Sequence, residues 1–264
     1  MFIGRVSFNK RVFPVIYSPQ EQLVYEVFGS INDILKIEEN EVDVSSTGTP
    51  VQNVTILPPV VPTKIIAVAR NYAEHAKELN NEVPTEPLIF LKPPSCLTPH
   101  KGVVIYPKIS QRVDYEGELA LIIKKTIKKA KSSIIEANPQ EFFAYTAFLD
   151  ITARDLQKKD KLWTRAKGFD TFGPIGPWIE INPLPPSINI RTYVNNELKQ
   201  NANIKLMIFP PGKLIEYISN IMTLETGDII ATGTPAGVGP LKVNDTVKVE
   251  IDTLEPLEVT VKGE

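Results

Sequence analysis

The sequence is poor in cysteine and in long apolar runs. Cys96 is the single cysteine among 264 residues, so an internal disulfide framework is excluded. A chain of this kind is expected in a reducing compartment, which predicts a cytoplasmic protein. No stretch approaches the length of a membrane span, and the first residues lack the apolar core of a signal peptide. A membrane partner is therefore not expected.

The chain also lacks an excess of charge of either sign. It has 29 Lys and Arg against 31 Asp and Glu, with a net charge of −2. Nucleic-acid-binding proteins usually present a strongly basic surface, so this composition argues against such a partner. The one basic run, residues 124–131, is interpreted as a solvated turn after a strand. A small-molecule partner is the better expectation.

Proline, in contrast, is abundant. The 23 prolines favour many short strands and rigid loops over long helices. Residues 1–60 are predicted to form a small N-terminal β-rich domain, which ends in the stiff segment 58–62, and residues 61–264 a larger domain. The fold class expected is mixed α+β, mainly β. Strands are predicted at 12–17, 22–28, 64–69, 88–92, 103–106, 113–123, 144–149, 188–194, 197–200, 229–231, 246–251 and 257–262, and helices at 31–36, 72–79, 132–143 and 211–219.

Three acidic residues accompany the apolar strands. Glu116 and Glu118 lie two apart in the predicted strand 113–123, so their side chains leave the same face. Asp150 closes the apolar run 142–149. Taken alone, the glutamate pair is more often a solvated strand face that meets lysines. Carboxylates turned inward are costly unless they are paired or hold a metal, and three of them would suit Mg²⁺ or Mn²⁺.

A histidine and a glutamate share one face of the predicted helix 72–79. His75 and Glu78 are spaced i, i+3 and can therefore hydrogen-bond. A carboxylate that fixes the tautomer of an imidazole produces a general base for water. Without further context, such a pair is more often a solvated helix face.

Five sequence blocks occur in a fixed order around these residues. In this order they resemble the fumarylacetoacetate hydrolase superfamily, and most closely its short members, the acylpyruvases and oxaloacetate decarboxylases. The resemblance covers about residues 60–262 and implies a β-roll catalytic domain and a homodimer. The blocks are residues 69–78, 87–93, 113–123, 150–170 and 227–239.

The resemblance also implies roles for individual residues. Glu116, Glu118 and Asp150 would hold Mg²⁺ or Mn²⁺, with Ca²⁺ as a substitute. Lys167 would balance the charge of the ligands and hold a substrate oxygen, while His75 and Glu78 would activate water. The resemblance further implies substrate contacts for Gln157 and Thr234. Arg70 and Lys92 are expected to bind substrate through a positive field near the mouth of the site, although Arg70, which precedes a helix, would equally serve as a structural brace. A brace on Asp150 or a neighbour is expected from Arg154, and a structural role for His100.

These roles predict a metal-dependent hydrolase that cleaves the C–C bond of acylpyruvate-like β-diketo acids through a pyruvate enolate. The same metal site would equally serve an oxaloacetate decarboxylase, an isomerase of the 2-hydroxyhepta-2,4-diene-1,7-dioate type or a sugar-acid dehydratase. A non-catalytic binding protein is disfavoured because the ligands and the residues His75, Glu78 and Lys167 are all present. The further carboxylate ligand of the larger hydrolases has no convincing equivalent in this chain.

Overall fold

Strands dominate the architecture, as predicted. A computed structural model of the protein describes residues 1–36 and 43–264. The strands are β1 (Phe2–Phe8), β2 (Arg11–Ser18), β3 (Leu23–Glu26), β4 (Thr49–Pro50), β5 (Thr55–Leu57), β6 (Ile65–Ala69), β7 (Leu88–Lys92), β8 (Leu97–Pro99), β9 (Val103–Tyr106), β10 (Val113–Tyr115), β11 (Gly117–Ile123), β12 (Phe143–Leu149), β13 (Thr152–Ala153), β14 (Gly173–Ile175), β15 (Ile179–Glu180), β16 (Asn189–Val194), β17 (Glu197–Asn203), β18 (Ile229–Ala231), β19 (Gly239–Pro240), β20 (Thr246–Ile251) and β21 (Leu257–Gly263).

The helices are short and lie between the strands. Among the described residues, none is long and apolar enough to cross a bilayer. The α-helices are α1 (Ile31–Ile34), α2 (Ala73–Glu78), α3 (Ser132–Ala137), α4 (Pro139–Phe142), α5 (Arg154–Asp160), α6 (Thr164–Lys167) and α7 (Pro211–Ile221), and 3₁₀ turns cover Val51–Asn53, Pro94–Cys96 and Ile204–Leu206.

The strands of the described residues form three sheets. The largest runs in the order β4-β3-β2-β1-β15-β12-β11-β18-β6-β7, with β5, β8 and β14 attached beside this path. A second sheet has the order β17-β16-β20-β21-β9, and a small third sheet has the order β13-β10-β19. The main hydrophobic core includes buried side chains of β11, β12, β16, β20 and β21. Strands of the first two sheets therefore share one core.

The strands β11 and β12 form the centre of the largest sheet, and every residue of both is buried. They pair antiparallel, with Gly117 opposite Leu149 and Glu118 opposite Phe148. The amide of Asp150 then donates to the carbonyl of Glu116 at 2.9 Å. This register brings the three acidic residues to one end of the sheet, although Asp150 is more than thirty residues beyond Glu116 in the chain.

Two predicted elements are broken in the structure. The predicted strand 113–123 is interrupted at Glu116, because β10 pairs with β13 and β19 whereas β11 joins the largest sheet. The predicted helix 132–143 is two helices, α3 and α4, separated at Asn138. Pro139 explains the second break, since proline has no amide to continue the helix and begins a new one well.

Several local predictions are confirmed. Asn195 and Asn196 join β16 to β17 with φ angles of 51° and 65°, the left-handed backbone that a tight hairpin turn requires. Helix α7 buries Ile215 and Ile218, as its spacing predicts. Strand β1 was not predicted, and it joins the N-terminal strands to β15 in the same large sheet. The domain boundary near residue 60 stays a prediction.

Candidate active site

Three buried carboxylates converge at the end of the β11–β12 pair. Glu116, Glu118 and Asp150 are exposed by 6%, 2% and 1%, and each offers an oxygen that lies within 4.8 Å of the others. Glu116 occupies the break between β10 and β11, Glu118 lies on β11, and Asp150 follows β12. The structure therefore brings together the acidic residues that were singled out in the sequence.

Three buried cations surround these carboxylates. The Nζ atom of Lys167 donates to Glu116 at 2.8 Å and to Asp150 at 2.6 Å. Lys92 donates to the other oxygen of Asp150 at 2.7 Å, and Arg154 pairs with the other oxygen of Glu116. Buried ion pairs of this kind require good geometry, because both partners lose their hydration.

The three carboxylates are not electrostatically equivalent. Burial, followed by the charges of Asp150 and Glu116, raises the pKa of Glu118 well above its usual value. Burial also acts to raise the pKa of Glu116, but the cations Lys167 and Arg154 outweigh it and hold that pKa below the usual range. Burial opposes the charge of Lys167, yet Asp150 and Glu116 raise its pKa above the ordinary value.

This cluster fits a divalent cation. All the donors are carboxylate oxygens, the hard ligands that Mg²⁺ and Mn²⁺ prefer. Burial first, and then the charges of Asp150 and Glu116, raise the pKa of Glu118, and a bound cation would counteract both effects. Each carboxylate oxygen can accept from a lysine or arginine and still present a second lone pair. The donor set therefore retains lone pairs that an ion could use.

The histidine–glutamate pair lies on helix α2, beside the carboxylates. The Nδ1 atom of His75 is 3.1 Å from Oε2 of Glu78, and His75 is only 4% exposed. The second oxygen of Glu78 accepts a hydrogen bond from the amide of Gly237 at 3.0 Å. Glu78 thus connects the imidazole to a loop from another part of the chain. The predicted hydrogen-bonded pair is present in the structure.

A cavity of about 300 Å³ joins the two groups. His75 and the three carboxylates line it together with Lys167. Most of the remaining predicted site residues also line it, and aromatic side chains form part of the wall. Further lining residues are Arg70, Phe90, Arg154, Gln157, Trp163 and Thr234.

The structure corrects the prediction for Lys92. Its side chain was expected near the mouth of the site, but Lys92 is 1% exposed and its ammonium contacts Asp150 at 2.7 Å. Its ammonium also donates to the carbonyl of Lys167 at 2.6 Å. Lys92 is the last residue of β7, and its ammonium is held by Asp150 and by that carbonyl instead of facing the cavity. Lys92 orients Asp150 rather than contacting the cavity.

Two further sequence expectations concern basic side chains. Arg154 was expected to brace Asp150 or a neighbour, and it braces Glu116 together with Asp114, which it contacts at 2.9 Å. The ring of His100 accepts a hydrogen bond from the amide of Glu258, as a structural histidine would. His100 does not line the cavity that contains the carboxylates.

Three further buried polar residues lie around the site and were not predicted from the sequence. Asp114 pairs with Arg154, and the period-2 series Asp114, Glu116 and Glu118 was the available signal. Asn71 is fully buried and donates to the carbonyls of Phe209 and Thr232. Gln200 is 1% exposed on β17, and nothing in its sequence context distinguishes it from a surface glutamine.

Comparison with known proteins agrees with this geometry. The family model described as Fumarylacetoacetate (FAA) hydrolase C-terminal matches residues 64–262. An uncharacterized protein of Methanocaldococcus jannaschii is 52% identical over 205 residues, which are 78% of this chain and 85% of that one. The mitochondrial oxaloacetate decarboxylase of Dictyostelium discoideum is 43% identical over 199 residues, 73% of this chain and 90% of the relative.

A solved structure covers the whole length. The 5-carboxymethyl-2-hydroxymuconate delta-isomerase of Mycobacterium smegmatis superposes with a TM-score of 0.89 at 33% identity, and the match covers 100% of both chains. The similarity therefore includes the N-terminal strands as well as the region that the family model matches.

Proposed function

Because the chain belongs to the fumarylacetoacetate (FAA) hydrolase family, we propose that it is a metal-dependent hydrolase that cleaves the C–C bond of acylpyruvate-like β-diketo acids. One observation carries this proposal: His75, whose Nδ1 atom lies 3.1 Å from Glu78, lines the same cavity as the three carboxylates. Hydrolysis requires an activated water as well as a stabilised enolate, and the two groups match these two requirements.

The proposed metal ligands are Glu116, Glu118 and Asp150. When bound, Mg²⁺ or Mn²⁺ supplies a Lewis acid for the 2-oxo and carboxylate oxygens of a pyruvoyl group. Support comes from the all-oxygen donor set and from its burial. Three carboxylates are fewer than the six oxygens that these ions take, so positions remain for the substrate.

The charge of the site favours an anionic substrate. Lys92, Arg154 and Lys167 form buried ion pairs with Glu116 and Asp150, so three cationic side chains stand beside the three carboxylates. A divalent cation added to this arrangement leaves an excess of positive charge in a cavity that also contains Arg70. Oxo acids, which carry one or two carboxylates, are suited to such a field.

The side chains of the cavity then have separate tasks. His75, oriented by Glu78, takes a proton from water, which attacks the acyl carbonyl carbon. The bond from that carbon to C3 breaks, and its electron pair enters the pyruvate enolate. The ammonium of Lys167 donates to the developing enolate oxygen, and protonation at C3 completes pyruvate. Gln157 and Thr234 line the cavity at positions suited to hydrogen bonds with the substrate.

Oxaloacetate decarboxylation is the second candidate. A specific observation favours it, since a relative that is 43% identical over most of its length is an oxaloacetate decarboxylase. Loss of CO₂ from C3 of oxaloacetate produces the same pyruvate enolate but requires no attack by water. Lys167 would be needed for both reactions, whereas His75 as a base would be needed only for hydrolysis.

Two variants assayed on two substrates test the proposal. His75→Ala should lower acetylpyruvate hydrolysis by about 10²–10⁴-fold, the usual contribution of a general base, and oxaloacetate decarboxylation by less. Lys167→Met should impair both reactions because the enolate loses its donor. Lys77→Ala, an exposed change on the same helix, is the control and should retain both activities.

Equal losses of both activities in His75→Ala would contradict the hydrolase assignment. Helix α2 would then act only by closing the cavity, and the decarboxylase would be the better assignment. Rates are measured with Mg²⁺ and Mn²⁺ at saturating substrate, with EDTA as the metal-free reference.

Two further proposals concern the whole protein. We propose a homodimer, which size-exclusion chromatography with light scattering tests. We also propose a cytoplasmic location, which the single cysteine supports.

A further inference from the structure

Gln200 is a buried amide that contacts two parts of the site without lining the cavity. It lies on β17, in the five-stranded sheet, and is 1% exposed. Its Oε1 accepts from the amide of Gly117 at 3.0 Å. Its Nε2 donates to the hydroxyl of Thr234 and to the carbonyl of Pro235, both at 2.8 Å. Both the oxygen and the nitrogen of the Gln200 side-chain amide therefore form hydrogen bonds.

The first of these partners lies between two of the site carboxylates. Gly117 separates Glu116 from Glu118, and its amide is bound by Gln200. Its carbonyl accepts from the hydroxyl of Thr234 at 2.9 Å, and that hydroxyl in turn accepts from Gln200. These three hydrogen bonds form a closed ring. The ring fixes the backbone that sets the separation of the two glutamates.

The second group of partners belongs to a loop, residues 232–239, which continues to the histidine–glutamate pair. The amide of Gly237 in this loop donates to Glu78, and its carbonyl accepts from the hydroxyl of Tyr115 at 2.9 Å. The φ angle of Gly237 is +102°, and a Cβ added there would lie 2.1 Å from the carbonyl oxygen of Lys199. The loop therefore packs directly against the backbone next to Gln200.

We infer that Gln200 is a positioning residue that couples the two halves of the site. It holds the Glu116–Glu118 backbone through Gly117, and it holds the loop whose Gly237 amide orients Glu78. Buried hydrogen-bonded networks of this kind rigidify a site when every member is satisfied. The catalytic consequences rest on the proposed function, whereas the effects on metal binding and backbone protection do not.

The test compares Gln200→Met with a matched control, Thr192→Val. Methionine keeps the length of the side chain but removes the hydrogen bonds of Gln200 to Gly117, Thr234 and Pro235. Thr192 is equally buried on β16 and its hydroxyl lies against Gly117, yet that hydroxyl has no hydrogen-bond partner among the described residues. Replacing the hydroxyl with a methyl group should therefore leave the ring intact.

The first readouts do not depend on turnover. In Gln200→Met, Mn²⁺ affinity measured by calorimetry should fall by about 10–100-fold, the usual effect of losing a group that orients a metal ligand. Amide hydrogen exchange without metal should accelerate in segments 113–119 and 232–239. Thr192→Val should match the wild type in both measurements. Unchanged exchange and unchanged Mn²⁺ affinity in Gln200→Met would overturn the inference.

A second variant tests the two groups of contacts of Gln200 separately. It keeps the inference testable if Gln200→Met fails to fold. Gln200→Glu keeps an acceptor for the amide of Gly117 but loses the donors to Thr234 and Pro235. Exchange should accelerate in segment 232–239 and remain slow in 113–119. Acceleration in neither segment would contradict the coupling. Acceleration confined to 113–119 would also contradict it, because that segment keeps its acceptor.

The kinetic readout distinguishes this inference from the proposed function. In Gln200→Met, kcat for acetylpyruvate should fall by about 10–100-fold and KM should change less. The reason is that the glutamate ligands and Glu78 would be misplaced but still present. A wild-type protein that hydrolyses no acylpyruvate would refute the proposed function alone. The exchange and Mn²⁺ results would still decide the role of Gln200.

Discussion

At the scale of single residues, the site carboxylates differ in how they are compensated. Glu116 and Asp150 are each bound by two cationic side chains. Glu118 instead accepts from the backbone amide of Gly233 at 2.8 Å. An amide carries only a partial positive charge, so Glu118 has the greatest need of an added cation. A bound metal ion would therefore stabilise the charge of Glu118 more than the charges of Glu116 and Asp150.

Removing one ligand charge should abolish the reaction. In Glu116→Gln or Asp150→Asn, turnover of every substrate should fall by about three orders of magnitude, since a Lewis acid contributes several kcal/mol to the transition state. Glu197→Gln, whose side chain is 74% exposed in the native protein, should have no effect. Near-normal rates at saturating Mg²⁺ in either site variant would show that the metal site is assigned wrongly.

Cys96 should be unreactive in the folded protein. It is fully buried, and burial raises the pKa of its thiol to about 11 from a usual value of 9.0. At pH 8 the thiolate fraction is then about 100-fold lower than for an exposed thiol, and the thiolate is the nucleophile. Alkylation by iodoacetamide should be slow in the native protein and rapid in urea. Fast native labelling would indicate that Cys96 is exposed.

At the scale of elements, helix α7 shows how an amphipathic segment is held. Ile215 and Ile218 are fully buried, whereas Ile221 at the end of the same helix is 56% exposed. The helix begins at Pro211, where the missing proline amide has no cost. Its stability therefore depends on the buried face rather than on the isolated helix, which at this length is marginal in water.

Two isoleucines of α7 provide a matched test. Ile218→Ala should lower the free energy of unfolding by about 2–5 kcal/mol, because it removes a buried side chain and leaves a cavity. Ile221→Ala, the same chemical change at an exposed position, should alter it by less than about 0.5 kcal/mol. Urea unfolding measured by circular dichroism gives both values. Similar effects of the two changes would mean that the core does not extend under this helix.

At the scale of the whole molecule, the site joins distant parts of the chain. The cavity is lined by residues at the end of β6, at the start of β11, after β12 and after β18. An ion held by Glu116, Glu118 and Asp150 would therefore connect segments that are distant in the sequence. A ligand that binds only the folded state stabilises it by mass action. Metal binding should therefore be visible as global stabilisation.

Thermal unfolding with metal checks this expectation. At a concentration 100-fold above the dissociation constant, Mn²⁺ should stabilise the fold by about 2.7 kcal/mol, which corresponds to a rise in Tm of about 5–10 °C for a chain of this size. EDTA should reverse the rise, and Glu116→Gln should not show it. An equal rise in that variant would place the ion elsewhere.

The sequence by itself determined the local elements and the chemical character of the site. Alternation and turn residues predicted β16, β17 and their Asn195–Asn196 turn, because these signals act over a few neighbouring residues. The i, i+3 spacing predicted the contact of His75 with Glu78 for the same reason. The three carboxylates were singled out because charged side chains beside apolar strands are costly to bury without a partner or a metal. Their assignment as ligands came from the resemblance of the surrounding blocks to the superfamily.

Only the tertiary structure decided which distant residues meet. Gln200 binds the amide of Gly117 across 83 positions of sequence, and Lys92 reaches Asp150 across 58. Neither contact leaves a periodic signal, since each joins elements that are far apart in the chain rather than depending on local backbone geometry. The break of the glutamate strand at Glu116 has the same origin, because β10 and β11 pair with different partners. Contacts between residues far apart in the sequence therefore determine the geometry of the site, whereas the local sequence determines which chemical groups it contains.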